Sequence, residues 1–227
     1  MIRLFGVNSL GNSVCAHVHN FTAYFYIHVV ERNCVLTAEE IEEFRIALNK
    51  HMHARDAVLE VELVDKFPIM HYQATKQKFL KVYCSHPQFI PRLRSVIEKG
   101  ISIGNKDCLS SVTYESAVPY ALRFMIDNEI GGMSWVRIDA GNWTPRQRRE
   151  SHCQIEFDVH NYNHVQGLPC EGEYSKLPPL RILSFDIECS ADAGKFPTPQ
   201  TDPVIQIANI VKIQGESEIF VRNVFTL

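Results

Sequence analysis

The stretch Leu183-Ser184-Phe185-Asp186-Ile187-Glu188-Cys189 alternates apolar and polar side chains without a break. A strand sends successive residues to opposite faces, so Leu183, Phe185, Ile187 and Cys189 share one side and Ser184, Asp186 and Glu188 the other. The apolar side is expected to pack under a layer of helices. The polar side then holds two carboxylates ~6–7 Å apart along the strand. Such groups repel unless they share a cation or one of them stays protonated. Two divalent ions ~3.5–4 Å apart resolve the repulsion and suit phosphodiester hydrolysis, one activating water and the other stabilising the departing oxygen. Hard oxygen ligands select Mg²⁺ or Mn²⁺. An Asp-x-Glu can also be no more than a solvated strand face. The apolar flanks, the preceding proline-containing stretch and the apolar strand that follows bring the metal site level with that reading.

Working outward, strands are expected at Leu180–Cys189, 204–211 and 219–227. An open sheet ending in an apolar strand is an aggregation hazard, so the chain is expected to stop inside a larger domain. Upstream, residues 167–179 hold two glycines, three prolines and few apolar side chains, the composition of a connector. The expected division is therefore a first domain over 1–170, a linker over 171–179 and a second domain opening at 180.

The first domain reads as α+β. A hairpin is expected from Ile2–Val7 and Val14–His19, and a third strand from Tyr24 to Val30. Thr37 and Glu40 have capping-box spacing, and Leu36 with Ile41 can staple the same helix start. Ile41, Phe44, Leu48 and Met52 mark its buried face. Strands at 57–64 and 79–84 precede a helix that begins at His86-Pro87, buries Phe89, Ile90, Leu93, Val96 and Ile97, and ends at Gly100. The order strand, helix, strand, strand, helix suggests ferredoxin-like or RNA-recognition-like (RRM-like) elements. A further helix is expected over Tyr120–Asp127, then strands at 134–139 and 154–161.

Composition narrows the function classes. The 227 residues are 45% hydrophobic and 22% charged with a formal net charge of -3, so bulk charge draws the chain to neither nucleic acid nor an anionic membrane. No apolar run approaches the ~20 residues that span a bilayer, and no secretory signal is read at the start. Seven scattered cysteines (Cys15, Cys34, Cys84, Cys108, Cys153, Cys170, Cys189) form no C-x-x-C pair and read as reduced thiols. The N-x-T sequons at Asn20 and Asn142 read as chance matches.

Leu180 to Cys189, with Asp202-Pro203-Val204-Ile205-Gln206-Ile207 downstream, resembles the first exonuclease motif of family-B replicative DNA polymerases in their delta-type branch. Thr113-Tyr114-Glu115-Ser116, Pro119-Tyr120, Leu122 to Asp127, Cys153-Gln154-Ile155-Glu156, Phe5-Gly6-Val7 and Phe21 to Tyr26 carry the same likeness. Ser116-Ala117-Val118-Pro119 departs from the family's asparagine-containing form.

The resemblance implies a polymerase N-terminal domain over 1–170, then the first strands of an α/β, ribonuclease-H-like 3′→5′ exonuclease domain. Asp186 and Glu188 would be catalytic and metal ligands, with two Mg²⁺ or Mn²⁺ ions in the complete site. The remaining ligands, the polymerase palm and any iron–sulfur cluster of the family would lie beyond this segment, leaving the segment alone inactive. Implied partners are primer–template DNA, deoxynucleotides, accessory subunits and a sliding clamp, in the nucleus and without a membrane. The alternatives are a free-standing DEDD-type exonuclease and a non-catalytic nucleic-acid-binding module.

Weaker signals remain. Arg146, Arg148 and Arg149 form a basic cluster that could meet template phosphates. Lys76, Lys78 and Lys81 interleave with Phe79 and Tyr83, a pattern compatible with single-strand stacking, although lysines snorkelling from a half-buried strand explain it better. Cys15, His17 and His19 alternate on one strand face, which reads as the solvent side of the hairpin rather than a zinc site. His51 and His53, near a helix end, complement its dipole.

Overall fold

A computed structural model describes residues 1–29, 36–70, 73–101 and 109–227. Val30, Cys34 and Cys108 lie outside the described residues. The chain divides into two compact units, one made of Met1–His19 with Gly132–Leu227 and the other of Asn20–Gly131.

The chain opens with β1 (Ile2–Val7) and β2 (Ser13–Val18), followed by β3 (Ala23–Val29), α1 (Ala38–Met52), β4 (Val58–Lys66) and β5 (Gln77–Cys84). Next come α2 (Ile90–Glu98), β6 (Leu109–Tyr114) and α3 (Tyr120–Asp127). Short strands β7 (Val136–Arg137) and β8 (Trp143–Pro145), then β9 (Ile155–Val159) and β10 (Gln166–Gly167), lead to β11 (Arg181–Cys189), β12 (Val204–Ile213) and β13 (Ile219–Thr226).

Within Asn20–Gly131 the elements run strand, helix, strand, strand, helix, strand and then α3, and the sheet order is β4-β5-β3-β6 with every neighbouring pair antiparallel. Alternation divides the sheet into two faces. Ala23, Phe25, Ile27, Leu80 and Val82 bury themselves in the main core with Phe44, Leu48 and Met52 of α1 and Ile90, Leu93 and Ile97 of α2. The opposite face carries a second cluster around Tyr24, Tyr26 and Phe79, with Tyr83 and Tyr114 packed against it.

The start of α1 follows its sequence signals closely. Thr37 is the N-cap, its hydroxyl accepts from Glu40 N–H, and the Glu40 carboxylate accepts from Thr37 N–H. Asn49 then joins the helix to the edge strand: its side chain donates to Val58 C=O at 2.9 Å and accepts from Val58 N–H at 2.8 Å. This supplies the backbone of β4 with a partner inside the core. At the other helix, Pro87–Phe89 form a 3-10 turn that leads into α2, with His86 as the cap.

α3 is fixed by polar contacts as well as packing. Tyr24 donates its hydroxyl to both Asp127 oxygens at 2.8 and 2.7 Å, and Tyr120 donates to Phe21 C=O at 2.6 Å. Arg123, 8% exposed, pairs with Glu115 and Asp127 and lies 5.0 Å from the Tyr24 ring centre.

In the other unit, β1 and β2 form the expected antiparallel hairpin, but β2 is an interior strand of the sheet β1-β2-β9-β8 and runs parallel to β9. The solvent-face reading of Cys15 and His17 is therefore corrected. Both side chains are fully buried: β2 is paired along both edges, and Glu156 of β9 lies beside Cys15 and within 2.7 Å of His17. The strand expected at 134–139 shrinks to Val136–Arg137, since its partner β10 offers only Gln166 and Gly167 to pair with.

Candidate metal centre and basic surface

β11, β12 and β13 form an antiparallel sheet in that order. Register places Ser184, Asp186 and Glu188 opposite Ile210, Ala208 and Gln206, so the two carboxylates share one face as the alternation requires. The register shifts immediately after Glu188, where Cys189 pairs with Val204 and Ile205 is left as an extra residue. A bulge there ends the regular ladder and can re-aim side chains beside a site.

Asp186 accepts one hydrogen bond, from Ile187 N–H at 3.0 Å, and both carboxylates are exposed. Neither has an ion-pair partner among the described residues. The acids of the β11–β12 connection are already engaged. Asp192 pairs with Lys195 at 3.0 Å. Asp202 accepts from Thr198 N–H at 2.8 Å, and this bond, with the Thr201 and Thr198 hydroxyls, holds its carboxyl below the usual range. Asp186 and Glu188 thus retain open lone pairs, and a hard-oxygen donor pair of this kind fits a divalent cation.

The expected helix layer over Leu183, Phe185 and Ile187 is not found among the described residues. Those side chains are 56%, 67% and 47% exposed. The physical reason is simple: the 180–227 segment folds as three strands and contains no helix to cover them.

The basic residues separate into two groups. Arg146 is engaged within the fold: it pairs with Glu150, reaches Asp158 at 3.0 Å and donates to Arg148 C=O at 3.2 Å. Arg148 and Arg149 are exposed, with no side-chain ion pair among the described residues. Lys78 pairs with Asp65 at 2.9 Å. Lys81 lies over the Tyr24 and Tyr83 rings at 3.9 and 4.7 Å, and burial pushes its pKa down. Lys81 therefore serves the aromatic cluster on its own sheet.

A family model described as DNA polymerase family B, exonuclease domain, matches residues 111–227, just over half the chain and including both carboxylates. The chain belongs to DNA polymerase family B. A model for the N-terminal domain of DNA polymerase delta catalytic subunit-like proteins matches residues 20–91. Among family-B relatives, the chain is 43% identical to a DNA polymerase delta catalytic subunit of Oryza sativa subsp. japonica and 40% identical to one of Drosophila melanogaster. Both alignments cover 100% of this chain but only 21% and 22% of those proteins, so it spans about a fifth of the relatives' length. A solved family-B DNA polymerase from Pyrobaculum calidifontis shares the fold, with a TM-score of 0.68 at 24% identity over 99% of this chain and 24% of that one.

One polar centre escaped the sequence reading. His17 Nε2 lies 2.7 Å from Glu156 Oε1, and His19 Nε2 lies 2.7 Å from Asp158 Oδ1. Glu156 also accepts from Glu150 N–H at 2.9 Å, Ser151 N–H at 3.1 Å and the Ser151 hydroxyl at 2.7 Å. Desolvation is the largest single influence on Glu156 and pushes its pKa up, but these hydrogen bonds together outweigh it and hold the group at about 2. The available signal was the matched spacing: polar residues alternate at 17 and 19 and again at 156 and 158, the pattern of two strands laid side by side.

Proposed function

We propose that this chain is the N-terminal part of a delta-type replicative DNA polymerase, and that Asp186 and Glu188 are two metal ligands of its 3′→5′ proofreading exonuclease. One observation carries the reading. Two carboxylates with no ion-pair partner among the described residues project from the same face of a regular strand, within the residues matched by the family-B exonuclease model. The exonuclease domain would open at about residue 180 with ribonuclease-H-like strands, after the connector at 171–179. The element order and antiparallel sheet over Asn20–Gly131 support reading that unit as ferredoxin-like or RRM-like.

When bound, Mg²⁺ or Mn²⁺ would supply activation of a hydrolytic water and stabilisation of a leaving 3′ oxygen. The chain's own contribution is to hold two carboxylates at a fixed spacing on a hydrogen-bonded strand. The polymerase would act on primer–template DNA and deoxynucleotides in the nucleus, with accessory subunits and a sliding clamp.

The test is made in the intact polymerase. An Asp186→Ala/Glu188→Ala variant should lose excision of a mismatched 3′ nucleotide by at least ~10²-fold, the scale of disabled metal sites, while primer extension continues. Unchanged excision would remove the assignment.

A further inference from the structure

We propose that Cys15, His17 and Glu156 form a binding site for a zinc-class divalent ion, separate from the carboxylates of β11. The ligand atoms would be Cys15 Sγ, His17 Nε2 and a Glu156 carboxylate oxygen. These atoms all lie within 4.8 Å of one another, on side chains that are buried. Cys15 and His17 alternate on β2, and Glu156 comes from the adjacent parallel strand, directly beside Cys15 in the register. Two residues of one strand seldom converge on an ion by themselves; the third, from the neighbouring strand, turns the row into a triangle.

The spacing suits tetrahedral coordination. Cys15 Sγ and His17 Nε2 are 3.6 Å apart. Bonds of ~2.3 and ~2.0 Å at a tetrahedral angle put sulfur and nitrogen about 3.5 Å apart. His17 Nε2 and Glu156 Oε1 are closer, at 2.7 Å, because a proton now lies between them. Exchanging that proton for the ion needs an opening of about 0.6 Å, to the nitrogen–oxygen spacing such bonds produce. Ser151 is placed to provide or position a fourth ligand, since its hydroxyl donates to the Glu156 carboxylate at 2.7 Å.

Charge and softness point the same way. A divalent ion with one thiolate, one carboxylate and a neutral imidazole has no net charge, which lowers the cost of burial. Thiolate and imidazole ligands select zinc over magnesium, unlike the all-oxygen pair on β11. The ion would tie the first hairpin to a strand about 139 positions later in the chain.

The experiment uses the 227-residue chain. After chelator treatment it is titrated with Co²⁺, whose thiolate charge-transfer absorption marks a sulfur ligand and is absent from an all-oxygen site. One such ion per chain is expected, displaced by Zn²⁺, lost in Cys15→Ser, weakened at least tenfold in His17→Gln and retained in Cys153→Ser. X-ray absorption of the zinc-loaded wild type should show one sulfur among nitrogen and oxygen neighbours, a readout that survives if a variant does not fold. A folded wild type with no thiolate band, a band that persists in Cys15→Ser, or a sulfur-free zinc shell would overturn the proposal, leaving only the His17–Glu156 hydrogen bond.

Discussion

Asp186 on β11 stands directly across the ladder from Ala208 on β12. The smallest side chain with a Cβ is therefore the cross-strand neighbour of the first carboxylate, and among the described residues no cation pairs with it. Replacing Ala208 by lysine would put an ammonium where a metal ion is needed. Opposed charges across a ladder interact by ~0.2–1 kcal/mol, and more where both face one ion. Ala208→Lys is expected to weaken Mn²⁺ binding by the intact polymerase about tenfold, measured by calorimetry against an Ala208→Ser control. Equal affinities in the two variants would show that the ion does not sit on this face.

Glu156 gives the fold an acid limit with a definite sign. Its carboxyl is held near 2, below the ordinary 4.5, so the unfolded chain binds the extra proton between these values. Its contribution to stability is complete above about 4.5 and is lost as the pH falls towards 2. Denaturant unfolding from pH 6 to 3 should show wild type losing stability on descent more steeply than Glu156→Gln. Parallel curves would mean that Glu156 does not titrate in this way.

Asn49 supports a different strand. Its amide satisfies both backbone groups of Val58, which is fully buried on β4. Asn49→Ala would leave the buried Val58 N–H without a partner and its C=O with only the longer bond from Arg45 at 3.3 Å, at a cost of about 1–3 kcal/mol. Asn49→Asp should recover part of this, since the carboxylate still accepts from Val58 N–H. Urea denaturation of the three proteins would check the order; an alanine variant as stable as wild type would contradict it.

These features differ in how far the sequence announced them. The capping box at Thr37 and Glu40 was legible because all of its residues lie within one helical turn. The shared face of Asp186 and Glu188 was legible because alternation is a property of a single strand. β6 was missed: Leu109-Ser110-Ser111-Val112-Thr113-Tyr114 is too polar to read as a strand, and pairing with β3 makes it one. The burial of His17 was missed because it depends on β9, whose matching carboxylates come from far along the chain. Local rules reach the residue that caps or alternates, but not the neighbour that long-range pairing brings.

The same limit applied to the basic cluster, where three arginines that look alike in sequence have different surroundings. Arg146 is engaged by Glu150 and Asp158, whereas Arg148 and Arg149 point to solvent. If the exposed pair contacts DNA phosphates, each contact contributes a slope of about 0.7 in the logarithmic dependence of single-strand affinity on salt. Arg148→Ala/Arg149→Ala should then weaken single-stranded DNA binding and flatten that slope by about 1.4, with little change in thermal stability. Arg146→Ala should act in the opposite sense, lowering stability through its broken pairs while leaving the salt slope nearly unchanged. Fluorescence anisotropy at several salt concentrations, alongside thermal melts, separates the two effects. A slope unaltered by the double substitution would show that these arginines are solvated surface and nothing more.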